Sequence, residues 1–67
     1  MVKYMAFLVR KWGTQECRTL TTPCLVNVTM RDVLTAGINY CNYNKLELVD
    51  CAIVEGDKII ERLNNNI

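Results

Sequence analysis

The sequence predicts a single small α+β domain of ββαββ order, a four-stranded, mainly antiparallel sheet with one helix packed on one face. Three observations predict it. Residues 30–43 carry apolar side chains at helical spacing behind a well-formed N-terminal cap. Two stretches before this helix and two after it are rich in β-formers, and each pair is joined by a glycine-containing turn. The length, 67 residues, leaves room for one domain.

The helix is the clearest element. Thr29 suits the N-cap, its hydroxyl accepting from a backbone N–H of the first turn. Asp32, three residues on, can reach back to the cap and favours the positive helix end. Val28 and Val33 stand at the positions of a hydrophobic staple. Met30, Val33, Leu34, Gly37, Ile38 and Cys41 form one apolar face, and Asn42 and Asn44 suit a left-handed terminator.

The first strand, residues 2–11, is apolar at both parities: Met5, Phe7 and Val9 on one face, Val2, Tyr4, Ala6 and Leu8 on the other. Such a strand belongs in the middle of a sheet. Trp12-Gly13-Thr14-Gln15 reads as a hairpin loop. Residues 16–25 match the first strand in length, and Pro23, which cannot donate to a ladder, places this second strand at an edge. Thr22-Pro23 would also start a helix; the run Val26-Asn27-Val28-Thr29 and the better cap at Thr29 favour the strand.

After the helix, residues 45–54 form the third strand. Glu47 and Asp50 interrupt its alternation and point to a bulge near Val49-Asp50. Glu55-Gly56-Asp57-Lys58 is a tight turn, and residues 58–63 return as a fourth strand, although Ile59, Ile60 and Leu63 also fit a turn of helix. Residues 64–67 read as a frayed tail.

A right-handed crossover from strand 2 through the helix gives two sheet orders, 2-1-3-4 or 2-1-4-3. The second resembles ubiquitin-like β-grasp domains in element order and length. The sequence ends in Asn-Asn-Asn-Ile where conjugating and sulfur-carrying members have Gly-Gly, so that resemblance implies a fold without carrier chemistry. The size and layout also resemble those of very small phage-encoded proteins that bind a host enzyme.

Composition narrows the function classes. The apolar run from Tyr4 to Val9 is too short for a signal-peptide core or a membrane span, which makes a cytoplasmic location and no membrane the expectation. Asn27-Val28-Thr29 spells a glycosylation acceptor, read as chance without a secretory signal. Four cysteines, Cys17, Cys24, Cys41 and Cys51, lack any C-x-x-C knuckle, and there is no histidine, which argues against zinc. The preferred reading is reduced thiols acting as small apolar residues, with no metal and no cofactor. The sequence has no phosphate-binding glycine loop and no paired acid and base, so no catalytic residues are assigned and no enzyme is expected.

The net charge of +1 conceals an asymmetry. Lys3, Arg10, Lys11, Arg18 and Arg31 against Glu16 give residues 1–31 a charge of +4, whereas residues 32–67 carry −3. Trp12 lies in the basic half, flanked by Arg10 and Lys11, with Arg18 on the returning strand. These four residues are the first candidate partner-binding surface, since tryptophan and arginine dominate interface hot spots. Tyr40 and Tyr43, three apart near the helix end, are a second. The leading expectation is a small regulator or inhibitor docking on a larger protein. A nucleic-acid-binding module using the basic hairpin is the alternative, opposed by the low total charge. A homodimer through an edge strand is a third.

Overall fold

The computed structural model describes residues 3–24 and 28–63. Five elements follow in the expected order: β1 (Lys3–Lys11), β2 (Cys17–Pro23), α1 (Met30–Asn44), β3 (Leu46–Glu55) and β4 (Lys58–Arg62). The strands form one sheet in the order β2-β1-β3-β4, with every neighbouring pair antiparallel. β3 therefore lies beside β1, and the β-grasp order is excluded. The burial explains the choice. β3 is buried along its middle and needs neighbours on both sides, while every residue of β4 is exposed and suits an edge. The strand ends placed at Val2 and Leu25, the loop residues 26 and 27 and the tail 64–67 lie outside the described residues.

β2 is an edge strand, as Pro23 requires. Lys11 N–H donates to Glu16 C=O and Cys24 N–H to Lys3 C=O, each at 3.1 Å. With the register Val9↔Arg18, Phe7↔Leu20 and Met5↔Thr22 between them, antiparallel alternation turns the backbone groups of Arg18, Leu20 and Thr22 toward β1. The amides and carbonyls of Cys17, Thr19 and Thr21 then face away from the sheet. Pro23 belongs to this outward set, so its missing N–H removes no ladder bond.

The bulge in β3 falls where the sequence places it. The register passes from Leu8↔Asp50 to Val9↔Leu48, leaving Val49 as the extra residue. This slip lets Leu46 and Leu48 pack on the same core as Cys51 and Ile53, which strict alternation would put on the opposite face.

α1 begins with a capping box: Asp32 N–H donates to Thr29 Oγ1 at 3.2 Å, and Thr29 N–H donates to Asp32 Oδ2 at 3.1 Å. Val33, Gly37 and Cys41 are its buried residues, packed over Phe7, Val9, Cys51 and Ile53. Two details differ from expectation. Ile38 is exposed, because it lies about 100° round the helix from the central Gly37; Ala36 packs against the core on the other flank. The left-handed C-cap is Lys45 (φ 56°, ψ 48°), not an asparagine, and its N–H donates to Cys41 C=O. Asn44 is instead the last helical residue, and its Nδ2 donates to Tyr40 C=O at 2.8 Å.

Candidate protein-docking surface

α1 lies mainly over β3 and leaves the β2 flank of the same sheet face uncovered. Two adjoining clefts open there, of about 490 and 380 Å³, sharing Leu20 and Tyr40. Met5, Phe7 and Ala36 make the second cleft apolar. Lys11, Arg18 and Lys45 line the first, with Glu16 as its carboxylate. Together they form a groove that runs between the helix and the free edge of β2, apolar at one end and basic at the other.

The β1–β2 turn holds one wall of the basic end. Gly13 takes φ +76°, a conformation that glycine adopts without strain. Thr14 N–H and Thr14 Oγ1 both donate to Lys11 C=O, at 3.1 and 3.0 Å, and Thr14 Oγ1 accepts from Glu16 N–H at 3.1 Å. This closed turn carries Trp12 with 58% of its surface exposed. The indole does not fold back over the core.

The structure regroups the residues singled out in the sequence. Lys11, Arg18 and Tyr40, drawn from both candidate surfaces, share one cleft. Arg10 does not join them. It neighbours β3 through Glu47, and its Nη2 donates to Glu47 Oε1 at 2.6 Å. That hydrogen bond, and then the charge of Glu47, raise the Arg10 pKa above its ordinary value. Alternation along β1 and β2 puts Arg10 on the sheet face opposite Arg18. Tyr43 is 90% exposed and stands outside the groove, so the two tyrosines do not form one patch.

Two residues of the groove carry no motif. Lys45 enters it because the left-handed turn at the helix end swings the chain back toward the hairpin; the adjacent Asn44 was the available signal. Leu20 shares the parity of Arg18 on β2, which alternation alone could have shown. Among the described residues the ion pairs are Arg10–Glu47 and Arg62–Asp50, so Lys11, Arg18 and Lys45 keep their charge for a ligand. The nearby C-terminal end of α1 brings a partial negative charge that Lys45 offsets.

Cys17 lines the first cleft, and the other three cysteines line neither cleft. All four are unpaired, with Cys41 and Cys51 in the core. Burial pushes both of those thiols up, and the Asp50 charge adds to the effect at Cys51. Among the described residues no group of three or more His, Cys, Asp or Glu side chains could hold a metal ion, and no helix is long and apolar enough to cross a membrane. Compared with known protein families, curated proteins and solved structures, the chain matches none.

Proposed function

We propose that the chain is a small non-enzymatic protein-binding module, a regulator or inhibitor that docks on a larger protein through the β1–β2 hairpin and the groove beside it. The exposure of Trp12 carries this reading. A tryptophan held exposed at the tip of a hydrogen-bonded turn presents a large rigid apolar surface at little entropic cost. Lys11, its neighbour in sequence, and Arg18 on the returning strand line the adjoining cleft and bring charges that steer association and set orientation.

The test is capture from a nuclease-treated lysate of the native host, with the intact chain and with a Trp12→Ala variant shown by circular dichroism to be folded. The expected result is a protein retained by the intact chain and bound at least ~30-fold more weakly by the variant, the size of a hot-spot loss. Equal retention by Trp12→Ala would overturn the assignment of the hairpin. Capture that vanishes on nuclease treatment would replace the protein partner by a nucleic acid.

A further inference from the structure

We infer that the groove accepts an extended partner segment that pairs with the free edge of β2 and whose groove-facing side chains, every second residue, are apolar at one end and acidic at the other. This rests on the protein-binding reading and names the chemistry of the partner.

Backbone and side chains agree on this occupant. Among the described residues nothing pairs with the outward amides and carbonyls of Cys17, Thr19 and Thr21, which form a ladder directly beside the groove, the arrangement that accepts an added strand. A strand laid there sends every second side chain to the helix-covered face. Those side chains first meet Leu20, Met5 and Phe7, and further along meet Lys11, Arg18 and Lys45. Apolar residues satisfy the first set. Three cations facing one carboxylate, Glu16, call for acidic residues at the second. Pro23 ends the ladder because it offers no N–H, so a strand running past it gains no further amide bond.

The same charges disfavour a second copy of this chain. β2 carries Arg18 as its only charge, and β4, the other edge, carries Lys58 and Arg62 against Glu61. β2 of a second copy would bring only a further cation, and β4, with Arg62 held by Asp50, brings Lys58 against Glu61, so neither edge supplies the acidic side chains that the basic end calls for. Nucleic acid would satisfy the cations but has no use for the ladder or for the apolar half.

The experiment selects binders from a displayed library of random ten-residue peptides against the intact chain, and in parallel against an Arg18→Glu, Lys45→Glu variant shown to be folded. Amide exchange of Thr19 and Thr21 is then followed with the best synthetic peptide. The expected selection is apolar residues at every second position in one half of the peptide and Asp or Glu at every second position in the other, a switch of the acidic half to Lys or Arg in the variant, and exchange at both amides slowed at least ~10-fold. Enrichment without acidic residues, or no enrichment over an unselected library, would overturn the inference. So would a tight binder that leaves both amides unprotected, or sedimentation showing that the chain covers its own β2 edge by self-association. These readouts do not involve Trp12, so failure here leaves the lysate result standing, and equal retention by Trp12→Ala there leaves this inference standing, whereas capture lost on nuclease treatment would remove the protein-binding reading on which it rests.

Discussion

Gly37 of α1 faces the ring of Phe7 in β1 with no room for a side chain. A methyl group on Gly37 would lie 2.9 Å from Phe7 Cδ1, 3.0 Å from Cε1 and 3.1 Å from Leu48 Cδ2. Glycine in mid-helix costs about 1 kcal/mol relative to alanine, so this position trades helix propensity for close packing. Phe7 is 7% exposed and cannot swing aside freely. Gly37→Ala is therefore expected to lower stability by ~1–3 kcal/mol through overpacking, outweighing the propensity gain. Urea denaturation measures it. Combining Gly37→Ala with Phe7→Leu should recover part of the loss, because the clash is with the ring; a strictly additive double variant would refute this origin.

Asp50 closes the end of the β3–β4 ladder with its side chain. Its Oδ1 accepts from Cys51 N–H at 2.8 Å, and its Oδ2 accepts from Arg62 Nε and Nη2 at 3.1 and 3.0 Å. Leu63 N–H donates to Cys51 C=O, which places the Cys51 amide at the last rung of that ladder. Asp50→Ala should cost ~1–3 kcal/mol by stranding a buried amide, and should speed hydrogen exchange at Cys51. Asp50→Asn keeps an oxygen for that amide and should cost less. Arg62 is half-exposed, so its charge contributes only ~1 kcal/mol or below.

The buried thiols set an upper pH limit on stability. Their ordinary pKa is 9.0, and in the folded chain Cys41 and Cys51 hold their protons to higher pH. The unfolded chain then releases protons that the folded chain keeps, so stability contributed by these groups is fully present below pH 9 and falls as pH rises beyond it. Under reducing conditions the urea midpoint should decline above about pH 9. Cys51→Ala should be less stable at neutral pH and show a shallower decline.

Much of the fold was legible because local signals and burial agreed. Thr29 and Asp32 named the helix start, Pro23 named the edge, and the clash of Glu47 and Asp50 with an apolar alternation named the bulge. The sheet order was not legible, because β1 is apolar on both faces and accepts either β3 or β4 as neighbour. Ile38 misled because apolar spacing alone does not say which residue lies at the centre of the buried row; the closest approach at Gly37 decides it. The docking surface was half legible. Composition marked the cations, but only the placement of α1 over β3 shows that Arg18 and Tyr40 meet across a groove while Arg10 is held by Glu47 on the other side.

The central place of β1 also shapes the order in which the chain can be completed. β2 follows β1 within a few residues, but its other neighbour, β3, begins at Leu46. At ~5–20 residues per second, a ribosome delivers β3 some seconds after β1. During that interval the hairpin presents Met5, Phe7 and Val9 without their helix, and β1 has one side unpaired. The hairpin forms early from local contacts, whereas the core closes only when the last third of the chain arrives. A folding transition state that adds β3 to a hairpin already formed would then be slowed by substitutions in the β1–β2 turn as well as by those at Phe7 and Cys51, and little affected by those in β4.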